Sequence, residues 1–278
     1  MPDSAPTDGG CVLTESPMVL ASEFPPGPES FDYRSLIPGL EGTFWEPAFT
    51  KIALLTWLTV AILIIFFLVA YRKPQIVPTK VQWIAESIYG IARDNIARDV
   101  IGKEGVRFAP YLATLFVFIL MNNLWGIIPL AQISPNSHIA FPIVLAGFTY
   151  VLYIAVGVRK QGALTYAKNS IWVSGAPLWV QPILVPIEFF QVIILRPATL
   201  AIRLFANMFA GHMILLVFTL GGVVLFESAT VALKPVAFLS WGMAIVMTLF
   251  ELFILALQAY VFTLLTATYL QSSVSEAH

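Results

Sequence analysis

Among the polar and charged side chains in two long apolar stretches of this 278-residue chain are Arg203, Asn207, His212, Glu251 and Gln258. The guanidinium of Arg203 is permanently charged because arginine does not lose its proton in proteins. Placing such a charge at bilayer depth costs at least about 2.5–3.5 kcal/mol, so an intramembrane arginine indicates a functional site. Asn207 follows four residues later and shares the helical face of Arg203. The alternative is a structural arginine that pairs with a carboxylate of the same helical bundle.

His212 and Glu251 have the chemistry of a proton relay, because histidine titrates near neutrality and a carboxylate can accept or release a proton. Helical rise places His212 about 13 Å beyond Arg203, and Glu251 about 24 Å into the next apolar stretch. We therefore expect both side chains at similar depth, in the outer half of the membrane. The alternative is a buried pair that only fastens two helices. Gln258 lies seven residues after Glu251 and shares its helical face.

The composition identifies a polytopic membrane protein, since 58% of the residues are hydrophobic and 11% are charged, against about 25% charged in soluble domains. A net charge of −1 argues against nucleic acid as a partner. Cys11 is the single cysteine, which excludes an intrachain disulfide and argues against a cysteine-based metal site. The chain has no phosphate-binding loop or other nucleotide motif, so we expect no cofactor and no catalytic ATP site in it.

The apolar segments predict an all-α polytopic fold with about five transmembrane helices. The last two segments are longer than one crossing requires. At about 75 Å, a helix covering residues 177–226 would be more than twice the thickness of the hydrocarbon core. Such a segment is either two spans broken near Arg196 or one tilted and kinked helix; we favour the tilted helix, paired with the next segment as an antiparallel hairpin. The five segments cover residues 52–71, 110–130, 140–158, 177–226 and 235–270.

The charge distribution predicts the orientation. Residues 72–109 hold seven of the fifteen lysines and arginines and residues 159–172 hold three, so both connectors are expected in the cytoplasm. Residues 81–100 are amphipathic and predict a helix on the membrane surface or, alternatively, one packed on a partner subunit. The predicted domains are an acidic extracytoplasmic tail (1–49), a transmembrane domain (50–270) and a cytoplasmic C-terminal tail (271–278). The expected compartment is a bacterial plasma membrane, with the mitochondrial inner membrane as the alternative.

Two adjacent amides, Asn122 and Asn123, lie in the second predicted span. They indicate either helix–helix hydrogen bonds or the lining of a water-filled cavity. The chain has no evident internal repeat, which weakens an interpretation as an inverted-repeat transporter.

Three motifs carry a family resemblance: RLFANMFAGH at 203–212, ELFILALQAYVFTLLTATYL at 251–270 and MNNLWGIIP at 121–129. They resemble subunit a of F-type ATP synthases, over residues 52–270 and without the acidic tail. The resemblance implies a stator that presents two offset half-channels to a rotating ring of small c subunits. It also implies the b subunits of the peripheral stalk, other ATP synthase subunits and the lipid bilayer as partners.

The resemblance also implies roles for single residues. Arg203 matches the arginine that faces the ring carboxylates, Asn207 the asparagine one turn later, and Gln258 the glutamine near that arginine. Glu251 and His212 occupy positions where some relatives carry histidine and glutamate respectively, an interchange that suits a coupled relay. The remaining implied positions are Asn123 in the outer half-channel, and Glu188 and Arg196 in the inner one.

Two other functions compete with a stator on the residues alone. A secondary transporter would use Arg203 to bind an anionic substrate and would take up that substrate as an isolated chain. A non-transporting membrane scaffold would show assembly defects, without flux defects, when Arg203 or Glu251 is replaced.

Overall fold

The computed structural model describes residues 50–73, 75–128, 134–166, 179–227 and 233–274. These residues divide into two compact units. The larger unit takes its described residues from Tyr33–Gly211 and Phe250–His278, and the smaller unit from His212–Leu249. The predicted tail of residues 1–49 lies outside the described residues.

Within the described residues, five helical segments are long and apolar enough to cross a bilayer, which confirms the predicted all-α polytopic fold. Two of them are uninterrupted helical stretches of 47 and 41 residues, Gln181–Glu227 and Lys234–Val274. The α-helices are α1 (Lys51–Tyr71), α2 (Lys80–Gly90), α3 (Ala109–Leu124), α4 (Ala140–Gln161), α5 (Gln181–Phe190), α6 (Arg196–Glu227) and α7 (Lys234–Val274).

Helix α3 ends six residues before the predicted end of the second span at residue 130. The amide of Gly126 donates to the carbonyl of Asn123 at 3.1 Å, and the amide of Ile127 donates to the carbonyl of Leu124 at 3.1 Å. These i→i+3 bonds tighten and close the helix. Pro129 follows Ile128 in the sequence. A proline has no amide hydrogen and disfavours helical geometry at the residue before it. At the other end of the chain, α7 continues four residues past the predicted limit, to Val274.

Helices α5 and α6 form one continuous element instead of two spans broken near Arg196, because the π-helical segment Gln191–Leu195 joins them. Pro197 has no amide hydrogen to donate and crowds the carbonyl one turn earlier. A π-helical turn accommodates this defect without ending the helix. The carbonyl of Val192 in that turn accepts a hydrogen bond from the Tyr153 hydroxyl at 3.2 Å. Tyr153 is itself 1% exposed, so α4 buttresses the turn.

The two long helices run antiparallel within each unit. In the smaller unit, the Ser240 hydroxyl donates to the carbonyl of Phe218 at 2.8 Å, and the Trp241 indole packs directly against Gly222. In the larger unit, Asn207 of α6 bonds Gln258 of α7. Phe226 also packs against Phe238 in the smaller unit, and Arg196 bonds Ser272 in the larger one. In each unit the contacting residue number falls along α7 as it rises along α6, so the helices are antiparallel and this part of the predicted hairpin is confirmed.

The predicted amphipathic segment 81–100 forms α2 and a π-helical continuation, Ile91–Ile101. Its buried side chains include Ala92, Ile96 and Ala97, which join the core formed with α3 and α4. Its charged residues are exposed: Arg93, Asp94, Arg98 and Asp99. The location of this segment on the membrane surface stays a prediction.

Candidate functional site

Helix α6 separates an apolar face from a polar one at the level of Arg203. Leu200, Leu204 and Met208 recur every four residues and are at most 2% exposed, so they form the buried face. Arg203 and Asn207 lie on the exposed face. The packing of α6 therefore turns the guanidinium away from the interior of its own unit.

No carboxylate in the described part of the chain neutralises Arg203. The single ion pair found there joins Lys160 and Glu104, 2.8 Å apart, and Arg203 makes no hydrogen bond to a described residue. Ala206 and Ala210 are also exposed beside it on α6. Small side chains let a neighbouring helix approach closely in a membrane, so this face has both the charge and the space to receive a helix that carries an acid.

Asn207 and Gln258 are brought together by the antiparallel helices. The Asn207 side-chain amide donates to Oε1 of Gln258 at 2.6 Å. Gln258 is 3% exposed, and its Nε2 has no acceptor among the described residues. Gln258 therefore bonds, through its side-chain oxygen, the residue that lies one turn after Arg203. Its side-chain nitrogen is a buried N–H donor.

Glu251 lies two helical turns before Gln258 on α7 and is 4% exposed. Gly211 of α6 faces it: a Cβ added at Gly211 would lie 2.8 Å from Oε1 of Glu251. A glycine is therefore required here if the carboxylate is to keep this position. Gly211 and Glu251 both belong to the larger unit.

We expect Gly211→Ala to lower the rate of proton transfer through this site about tenfold while the protein still assembles. The added methyl group meets the flexible end of Glu251, so the carboxylate moves and the helices stay in place; small displacements of a reacting group cost rate steeply. Gly147→Ala is the matched control because no atom lies within 4 Å of the added Cβ. Proton-transfer rates in membrane vesicles compare the two variants, and equal rates would contradict the steric assignment.

Asn123 connects α3 to the last helix. Its Nδ2 donates to the carbonyl of Leu255 at 3.4 Å, one turn from Glu251. Its Oδ1 accepts from Nδ2 of Asn136 at 2.7 Å. Asn136 is 2% exposed, so the turn before α4 contributes a buried side chain to this contact.

Asn122 belongs to a second polar group between α1 and α3. Its Oδ1 accepts from the Thr59 hydroxyl at 3.1 Å, and its backbone carbonyl accepts from Ser134 at 3.1 Å. The Trp125 indole donates to Thr59 at 2.7 Å. Thr59 is fully buried, and the only sequence signal for it is a hydroxyl residue within an apolar span.

Arg196 lies apart from this cluster, about two helical turns before Arg203. Its guanidinium stacks over Tyr269, 5.5 Å from the ring centre, and donates to the Ser272 hydroxyl at 3.3 Å. It borders a cavity of about 350 Å³ between α6 and α7 that Thr199, Thr268 and Ser272 also line. Glu188, about two turns earlier, does not line this cavity.

His212 is buried and is the first residue of the smaller unit. Its predicted position beside Glu251 stays a prediction.

The chain is similar to known proteins over nearly its whole described length. It matches the family model described as ATP synthase A chain over residues 53–271. The ATP synthase subunit a of Streptomyces lividans is 43% identical over 251 residues, which cover 87% of this chain and 88% of that protein. That of Nocardioides sp. is 39% identical over 259 residues, 91% of this chain and 94% of that protein. That of Parafrankia sp. is 48% identical over 211 residues, 76% and 70% respectively.

Proposed function

Because this chain belongs to the family of ATP synthase subunit a, we propose that it is the stator subunit that passes protons to and from the carboxylates of a c-subunit ring. Proton flow through two half-channels then drives rotation and ATP synthesis. Other subunits of the ATP synthase are its partners, and it resides in a bacterial membrane. We further propose the c ring and the b subunits of the peripheral stalk as its partners.

The observation that carries this proposal is the exposed guanidinium of Arg203 on a face with small neighbours and no described carboxylate. A fixed charge in a membrane needs a counter-charge. A ring carboxylate that passes as the ring rotates supplies this counter-charge transiently, whereas an acid of the same chain would pair with the arginine permanently.

The proton path runs from outside past Asn123, His212 and Glu251 to a ring carboxylate, which becomes neutral and moves into lipid. When that carboxylate reaches Arg203, the positive charge favours its ionised form; an opposite charge within about 4–6 Å lowers a carboxylate pKa by about 1 to 3. The proton leaves toward the cytoplasm. A membrane potential contributes about 2.3 kcal/mol per proton per 100 mV.

The exit path uses the polar cavity beside Arg196, with Glu188 nearer its cytoplasmic end. A water-filled cavity between the long helices is the environment in which irregular or charged groups are tolerated at membrane depth. Tyr269 and Ser272 hold the guanidinium of Arg196 at the border of this cavity.

The proposed topology places the acidic tail (1–49) outside, the transmembrane domain at 50–270 and the C-terminal tail (271–278) in the cytoplasm. The excess of basic residues at 72–109 and 159–172 supports this orientation. Asn207 and Gln258 position the arginine in this arrangement, because their hydrogen bond joins the two helices one turn from it.

Cysteine crosslinking tests the proposed interface. In the assembled complex, with Cys11 replaced by serine, Asn207→Cys should crosslink to a cysteine placed beside the carboxylate on the ring helix. Ile65→Cys is the control: it is 61% exposed on α1 but does not belong to the arginine face. Crosslinks to the ring from position 65 and none from position 207 would contradict the proposal.

A further inference from the structure

A groove between α1 and α3 has no part in the proton path. Its volume is about 810 Å³. Its lining includes Leu63, Phe67 and Leu68 of α1 and Thr114 of α3, and Tyr71 and Arg72 close one end.

The body of this groove suits a hydrocarbon chain. Leu68 is 67% exposed and lies within a span predicted to face lipid. The rings of Phe67 and Tyr71 stack with an interplanar angle of 2° and form a flat wall. Thr114 commits its hydroxyl hydrogen to the carbonyl of Pro110 at 2.9 Å. Thr114 therefore adds no free hydroxyl donor to the largely apolar lining of the groove.

The closed end carries positive charge. Arg72 is exposed, and its guanidinium has no hydrogen bond or ion pair to a described residue. Lys73 follows it and is exposed as well. Both lie just after the last residue of α1, where the span meets the headgroup region.

One acid lies near this end. Glu86 of α2 is within electrostatic range of the Tyr71 hydroxyl. Its carboxylate accepts a hydrogen bond from Gln82 at 2.7 Å and so is held toward its own helix. The negative charge of Glu86 weakens the positive potential at the groove, so replacing Glu86 gives a second test of the proposal.

We propose that this groove binds an anionic phospholipid, with an acyl chain along Leu63, Phe67 and Leu68 and the phosphate at Arg72. Basic pockets between transmembrane helices on the cytoplasmic side bind anionic headgroups. The charge complementarity selects an anionic lipid over a zwitterionic one, and the apolar body selects a lipid over a free phosphate ion.

Fluorescence quenching by brominated lipids tests the proposal in the assembled complex, reconstituted in phosphatidylcholine bilayers. A fluorophore is attached at Leu68→Cys in a background without other reactive cysteines. Brominated phosphatidylglycerol should quench it more strongly than brominated phosphatidylcholine. Arg72→Gln should reduce that selectivity about fivefold, which corresponds to about 1 kcal/mol per basic residue near the surface. Glu86→Gln should increase it.

Ile65→Cys is the matched control, because Ile65 lies on the same helix, is 61% exposed and does not line the groove. Its label should be quenched equally by both lipids. Equal quenching by both lipids at position 68 would mean an unselective lipid-facing surface and would overturn the proposal. Absence of quenching by either lipid would mean that a helix of another subunit covers the groove, which would overturn it as well.

Discussion

Replacing Arg203 with alanine is expected to abolish proton-driven ATP synthesis by the assembled enzyme. In the proposed mechanism, the variant removes the charge that favours ionisation of a ring carboxylate as it passes. It also removes the proposed electrostatic barrier against direct proton passage between the two half-channels. Arg203 is exposed and has no acid partner among the described residues. Its loss therefore leaves no unpaired acid in that part of the chain, and the helix should still insert.

ATP synthesis driven by an imposed proton gradient in membrane vesicles measures this effect, with native gel electrophoresis to monitor assembly. Arg93→Ala is the control, since Arg93 is an exposed arginine outside the proposed site, and it should keep the wild-type rate. An Arg203→Ala complex that assembles and makes ATP at the wild-type rate would show that Arg203 is not required for coupling.

The apolar segments alone left five or six spans open, because about twenty apolar residues are needed to cross a bilayer and the run at 177–226 is long enough for two crossings. They did not predict where α3 ends, because the apolar run continues through Trp125 and Ile127 while hydrogen bonding has already changed to a turn. Hydropathy is a property of side chains, so it does not reveal this change in backbone hydrogen bonding.

The long element Gln181–Glu227 shows a similar limit. Arg196 and Pro197 suggested a kink or a break, and the outcome depends on whether the freed carbonyls find donors. Tyr153 supplies one from α4, 39 positions away in sequence. A partner so distant is fixed by tertiary packing, which no local pattern reports.

Helical periodicity placed Asn207 beside Arg203, and Gln258 on the face of Glu251, because spacings of four and seven return to one side of a helix. It did not identify Asn136 or Thr59, which become important only through their contacts with Asn123 and Asn122. Deep positions such as Arg203 and Glu251 were conspicuous because a charge in an apolar run is rare. A single hydroxyl within a span, or an amide in the turn between two spans, is common, so neither gave a comparable signal.

Glu251→Gln is expected to lower proton-driven ATP synthesis about a hundredfold, because the amide keeps the size of the side chain and loses its capacity to carry a proton. Positioned acids and bases contribute about 10²- to 10⁴-fold to proton transfer. Glu104→Gln is the control: Glu104 is an exposed acid in an ion pair with Lys160, and exposed pairs contribute little to stability. It should keep both the rate and the assembly of the complex.

The Glu251→Gln variant also tests the steric argument at Gly211, because the two positions are in contact and contacting residues give non-additive effects. If Gly211→Ala acts by displacing the Glu251 carboxylate, it should cause no further loss of rate in the Glu251→Gln background. Vesicle rates of the two single variants and the double variant complete this cycle. Fully additive losses would mean that the methyl group disturbs the proton path elsewhere, and a wild-type rate for Glu251→Gln would assign the glutamate to helix packing alone.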